Sequence, residues 1–220
     1  MNEEDKICLI LPLFHIFGIT AGLFCCVASG ASIYIQESTK ADDIFDTIYR
    51  EKCTLFHSVP TVFIQMMNSP NFDSDKVDTL RCSILAGAAT TEAQILEMMR
   101  LFKSNHFVNA YGLSEMAPVS LTDYEETVER ITSTVGKPIN NIRIIIQNTE
   151  TKEECKPNEP GEILVEGFNT MAGYYKVAID DQAVDMDGWL HTGDLGIMDE
   201  DGFIYYKGRE KRMIISSGYN

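Results

Sequence analysis

The sequence predicts an α/β protein in which a mainly parallel sheet flanked by helices is followed by a smaller antiparallel β-rich subdomain, distorted and barrel-like. Three observations predict it. Short apolar strands alternate with helical stretches over residues 1–134. Beyond Val135 the texture changes to two β-branched runs, IRIII and EILVE, joined by a polar turn region with Pro157 and Pro160-Gly161. No repeat or low-complexity tract interrupts the pattern.

In order, the run 7–35 is almost uncharged and long enough to span a bilayer. Pro12, His15, its glycines and the lack of flanking Lys/Arg clusters argue instead for a buried strand, turn and helix. Residues 54–59 read as a strand, and Pro60 suits the first turn of a helix over 61–67. A second strand is expected at 80–85. Thr91 and Gln94 have the spacing of a capping box for a helix reaching Phe102, with Ile95, Met98 or Met99, and Phe102 as its apolar face. The sheet resumes at 106–109. Residues 142–146 and 162–166 form the antiparallel pair, 199–202 a turn, and 203–206 another strand. The expected division is 1–134, 135–206, and a hinge segment 207–220.

At 220 residues and 45% hydrophobic the chain can build a sizeable core. Its 33 acidic against 18 basic residues, a net charge of −15, repel phosphate backbones and anionic lipid heads, so nucleic acid is excluded as a partner. Six cysteines without a C-x-x-C pair and four scattered histidines read as reduced thiols of a cytoplasmic protein, not as a metal centre. The opening MNEEDK is acidic, unlike a secretory leader. Nucleophile-elbow, phosphate-loop, dinucleotide and H-E-x-x-H patterns are all missing from these residues.

What remains are glycine-rich polar segments at strand ends, where open α/β sheets bind ligands. In Asn109-Ala110-Tyr111-Gly112-Leu113-Ser114-Glu115 a ring beside a glycine can stack on a base, a hydroxyl can meet a phosphate, and a carboxylate can hold Mg2+. The plain alternative is a helix-capping turn. In GWLHTGD the paired glycines let backbone approach a ligand and Asp194 can accept both hydroxyls of a ribose. Taken alone, Asp194 reads as a turn residue and Trp189 as core. Arg209 offers a fork of donors for ribose or phosphate oxygens, while the charges at 210–212 read as a solvated patch. His15, in an apolar stretch, reads as a satisfied core histidine.

The order of these segments carries more than any one of them. LPLFHIFG, LAGAATT, NAYGLSE, GEILVEG with MAGYY, GWLHTGDLG and GREKRMIISSGYN together resemble the adenylate-forming superfamily of acyl-CoA synthetases, coumarate-CoA ligases, beetle luciferases and peptide-synthetase adenylation domains. The resemblance implies that Gly87, Ala88 and Ala89 form the adenine-side loop, Asn109 the amide position near the adenine, and Tyr111 with Gly112 the stacking position. It implies Ser114, usually threonine, at the phosphate, Glu115 as the Mg2+ carboxylate, Asp194 and Arg209 at the ribose, Lys211 at the hinge, and His15 at the gate of the acyl pocket. Glu115, Ser114 and His15 are the catalytic candidates on that basis.

The implied reaction is attack of a carboxylate on the α-phosphate of ATP, with Mg2+, to give an acyl-adenylate and pyrophosphate, followed by capture on CoA. A fatty or aryl acid is favoured by the apolar character of the residues near His15 and 111–118. Carrier-protein delivery, as in a peptide synthetase, and a non-catalytic nucleotide-binding module are the alternatives. The family's Ser/Thr- and Gly-rich phosphate loop and its lysine-bearing C-terminal domain have no counterpart in these residues. A fragment that is inactive by itself is therefore expected.

Overall fold

The computed structural model describes residues 1–102, 106–178 and 182–209. Strand β1 (Lys6–Leu9) pairs in parallel with β2 (Ser32–Ile35), Lys6 opposite Ser32. The apolar stretch between them folds as a π-helical turn, Gly18–Phe24, running into helix α1 (Cys25–Ser29), which stops at Gly30 in the left-handed region. Gly18 is required by close approach: a Cβ there would lie 2.3 Å from the Pro12 carbonyl oxygen. Among the described residues no helix is long and apolar enough to cross a membrane.

Residues 54–59, expected as a strand, form isolated parallel bridges instead over 54–58: Leu55 to Ile7 and to Cys82, Ser58 to Leu85. They carry the ladder from β1 to β3 (Ser83–Leu85), which lies parallel to β4 (Phe107–Leu113). Pro60 then opens a helix, as expected, its missing N–H one that the first turn leaves unused.

Helices α2 (Ala41–Glu51), α3 (Pro60–Met67) and α4 (Glu92–Leu101) pack over this sheet. Thr91 and Gln94 make the reciprocal capping box at the start of α4, and Ile95, Met98 and Phe102 are fully buried, so the sequence places that helix and its face correctly. Phe63 of α3 is the centre of the core, edge-to-face with Phe56 at 5.2 Å and with Phe102 at 5.3 Å. Each such fully buried ring contributes roughly 2–3 kcal/mol of transfer free energy.

The chain then turns antiparallel. β4 folds back on β5 (Met116–Leu121), followed by α5 (Val128–Ser133) and the short β6 (Lys137–Pro138). Four further strands, β7 (Ile142–Gln147), β8 (Gly161–Gly167), β9 (Leu190–Met198) and β10 (Ile204–Arg209), form an antiparallel sheet in the order β10-β9-β8-β7. Strict alternation in β7 buries Ile142, Ile144 and Ile146 and leaves Arg143 outside, the period of a half-buried strand.

Their core also takes Met116 and Val119 from β5, so the two sheets share packing. Backbone bonds from Val135 N–H to the Ile204 carbonyl and from Ile204 N–H to the Gly136 carbonyl, both 2.9 Å, join them directly. Gly136 has φ +80°, and a Cβ there would sit 1.9 Å from Leu121, so no other residue fits this junction.

Three local expectations need correction. Residues 109–113 are strand, not a capping turn: the turn is the β4–β5 hairpin at Ser114-Glu115. The TGD segment is strand too, because Gly188 makes the turn and Gly193, φ +68°, makes a bulge inside β9. Trp189 is only half-buried, with the Arg143 guanidinium 4.9 Å from its ring centroid, so it is a cation–π platform outside the core.

Candidate functional site

Between the β3–β5 edge and strands β9 and β10 lies a cleft of about 520 Å3. The residues that the resemblance assigns to the site within the described part all line it, His15, Gly87, Ala88, Ala89, Asn109, Tyr111, Gly112, Ser114, Glu115, Asp194 and Arg209, whereas Gly188, Trp189 and Gly193 of the GWLHTGD segment do not. Lys211 and the rest of 210–220 lie outside the described residues.

The floor is built by the β9 bulge. Pairing steps from Leu164 opposite His191 to Glu162 opposite Leu195, so residues 192–194 of β9 face the single Ile163. The Thr192 hydroxyl donates to the Ile163 carbonyl at 2.7 Å and accepts the Asp194 N–H at 3.0 Å; the Gly193 N–H donates to Glu162 Oε1 at 3.0 Å. The bulge turns Asp194 inward, to 2% exposure.

A carboxylate so buried must be paired. Its Oδ2 accepts the Tyr111 hydroxyl and its Oδ1 the Arg209 Nε–H, both at 2.7 Å. Burial first, and then the Asp194 charge, push the Tyr111 hydroxyl well above its ordinary pKa. The same two causes raise Tyr206, whose ring centroid is 6.2 Å from that of Tyr111. For Arg209 burial works against the charge, and Asp194 outweighs it. Tyr111, Tyr206 and Arg209 thus keep their protons at neutral pH, and Tyr111 and Arg209 hold Asp194 as donors. The turn reading of Asp194 does not survive: it is a buried acceptor on a strand.

The mouth differs. Ser114 is exposed and Glu115 half-buried at the hairpin tip. Glu115 Oε1 accepts the Tyr174 hydroxyl at 2.6 Å, and its backbone carbonyl accepts the Met171 N–H at 2.8 Å. Among the described residues no cluster of three or more His, Cys, Asp or Glu side chains could hold a metal. A lone carboxylate at a cleft mouth instead fits Mg2+, which takes one or two carboxylates and completes its shell with water and substrate phosphates.

On the third side, Gly87 has φ +86° where the chain leaves β3, and Ala88 and Ala89 follow it along the wall. The Asn109 amide donates to the carbonyls of Thr134, at 2.9 Å, and Ile131, at 3.4 Å, fastening β4 to the end of α5. His15 is half-buried in the wall, not in the core. Its Nδ1 accepts the Phe17 N–H at 3.2 Å, at the start of the turn leading into the π-helix. Ile16, Phe17, Ala21 and Pro118 make the adjacent wall apolar.

Sequence reasoning missed Tyr174 and Tyr206, which also line the cleft. Tyr174 stood inside the quoted MAGYY motif, and its partner is 59 positions away. Also missed was His57, 2% exposed within the bridging segment beside β3, with Nδ1 accepting the Ile84 N–H at 3.2 Å.

A family model described as AMP-binding enzyme matches residues 1–175. The mitochondrial medium-chain acyl-CoA ligase of Rattus norvegicus is 34% identical over 99% of this chain and 36% of its own length. A long-chain-fatty-acid–CoA ligase of Bacillus subtilis is 32% identical over 98% of this chain and 38% of its own length. Among solved structures, o-succinylbenzoate coenzyme A synthetase of Bacillus subtilis in complex with AMP superposes with a TM-score of 0.80 at 29% identity, covering 97% of this chain and 53% of that one. The chain thus spans well under half the length of the curated relatives it matches.

Proposed function

Because the chain belongs to the AMP-binding enzyme family, we propose that it provides the nucleotide- and acid-binding cleft of an AMP-forming acid–CoA ligase. One observation carries this reading. Residues from five separated stretches, around 15, 87, 111, 194 and 209, meet in a single cleft with a buried carboxylate at its floor and a half-buried one at its mouth.

In this reading the adenine lies between the loop 87–89 and the Tyr111 ring, beside Asn109. Each Asp194 oxygen accepts one protein donor and keeps a lone pair for a ribose hydroxyl, while Arg209 fixes the carboxylate plane. Ser114 donates to a phosphate oxygen and Glu115 holds Mg2+. The metal, when bound, would neutralise charge developing on the phosphates. The acid enters past His15 against the apolar wall. Its carboxylate oxygen bonds to the α-phosphorus as the bond to the β-phosphate breaks and pyrophosphate leaves. A CoA thiol then attacks the acyl carbon and AMP departs. The protein's share is positioning and preorganised charge.

An apolar wall supports a fatty or aryl acid, in keeping with the medium- and long-chain acids in the names of the two ligases. Six free thiols suit a reducing compartment such as the cytoplasm.

The test is pyrophosphate release by the polypeptide as the cell makes it. Release is expected only with ATP, Mg2+ and a carboxylic acid together. Acid-independent conversion of ATP to ADP and phosphate rejects the reading.

A further inference from the structure

Glu115 sits at a hairpin tip, where a carboxylate with several rotatable bonds has no reason of its own to point anywhere. Yet it is held at both ends by one remote segment. Past β8, Asn169 Nδ2 donates to the Pro118 carbonyl at 2.9 Å, the Met171 N–H to the Glu115 carbonyl at 2.8 Å, and the Tyr174 hydroxyl to Glu115 Oε1 at 2.6 Å.

Tyr174 is itself fixed. Gln182 Oε1 accepts its N–H at 2.5 Å, and Gln182 Nε2 donates to its carbonyl at 3.1 Å and to that of Val177 at 2.9 Å. Among the described residues no donor reaches Glu115 Oε2, which is left for a cation. We propose that Tyr174 is the positioning residue for Glu115: by holding Oε1 it turns Oε2 toward the cleft and fixes where a divalent cation on the nucleotide is bound.

The chemistry suits that task. A phenol, with an ordinary pKa of about 10, keeps its proton through the physiological range, so the Tyr174 hydroxyl stays a donor to Glu115 Oε1. A lysine in its place would supply the hydrogen bond but offset the negative charge a cation needs. Groups that hydrogen-bond a metal's carboxylate ligand typically change metal affinity by 10–100-fold when removed.

The inference rests on the ligase reading, and its test separates the two. ATP binding is measured by calorimetry with Mg2+ and with EDTA for the full-length protein, Tyr174→Phe, Glu115→Gln and the double variant. Tyr174→Phe keeps the ring and removes the hydroxyl. It is expected to cut the Mg2+-dependent gain in ATP affinity about tenfold, to leave affinity in EDTA and thermal melting unchanged, and to add nothing in the Glu115→Gln background.

Equal loss of affinity with and without Mg2+, or a lowered melting temperature with the Mg2+ gain intact, would mean that Tyr174 only braces the loop and overturns the proposal. A parent protein that binds ATP without any gain from Mg2+ removes the metal role of Glu115 and the proposal with it, leaving nucleotide binding standing. A parent that binds no ATP brings down the ligase reading itself.

Discussion

The two carboxylates of the cleft are built in opposite ways. Asp194 is 2% exposed, on a bulged strand, with a donor on each oxygen. Glu115 is half-buried, at a hairpin tip, with one donor on one oxygen. Desolvation explains the difference. A carboxylate removed from water has to be satisfied by fixed donors before any ligand arrives, whereas one in contact with water can leave an oxygen open for a cation. The floor is therefore part of the fold as well as of the site, and the mouth belongs mainly to the site.

The sharpest way to break this contrast is Asp194→Ala. It removes the acceptor of the Arg209 Nε–H and of the Tyr111 hydroxyl. Loss of one partner from a buried pair costs 3–5 kcal/mol, and since the Arg209 side chain is 22% exposed the lower end, about 3 kcal/mol, is expected. Urea denaturation reads this directly. Asp194→Asn, which keeps an acceptor for Tyr111, should cost roughly half as much. Loss of stability alone thus says nothing about a ribose role. ATP affinity measured below the melting range does, with about a hundredfold drop expected for the alanine variant. An unchanged affinity would sink the ribose role.

The same contrast repeats in the histidines. His15 lies half-buried in the cleft wall, whereas His57 is fully enclosed and burial lowers its pKa from 6.5 to about 4. A histidine whose folded pKa lies below its unfolded value supports the fold fully above pH 6.5. That support is lost as pH falls from 6.5 toward 4, because the unfolded chain takes the proton first. A difference of that size corresponds to roughly 3 kcal/mol between pH 7 and pH 4. Stability measured across this window should decline accordingly, and His57→Gln should flatten the decline. A slope unchanged by that substitution would show that other groups carry it.

How much of this was legible in the sequence follows the range of the interactions. Helix α4 was legible to its capping box, and β7 and β8 as β-branched runs flanking a polar turn region, because neighbours close in sequence decide those features. The membership of the cleft was legible through the order of its motifs. The second half of β4, residues 110–113, and β9 were not: glycine and polar residues there imitate turns, and only pairing with distant strands keeps them extended. The buried state of Asp194 depends on a bulge set by Ile163, and the burial of His57 on parallel neighbours on both sides. Tyr174 and Glu115 meet only because the segment after β8 reaches back to the β4–β5 hairpin. None of these contacts leaves a local trace in composition or spacing.

The smallest expected effect on stability is the most informative about the mouth. Glu115→Gln exchanges a half-buried carboxylate for an amide of nearly the same shape, and the Tyr174 hydroxyl can still donate to the amide oxygen. Exposed pairs of this kind contribute about 0–1 kcal/mol, so melting should shift by no more than about 4 °C. The charge is a different matter, because an amide oxygen is a weak ligand for a hard divalent cation beside phosphates. ATP binding should therefore lose its dependence on Mg2+ while its affinity in EDTA holds, the reverse of Asp194→Ala, which weakens both. If Glu115→Gln instead destabilised the protein as much as the floor variant, the carboxylate would be as structural as Asp194. The division of the cleft into a fixed floor and an available mouth would then be wrong.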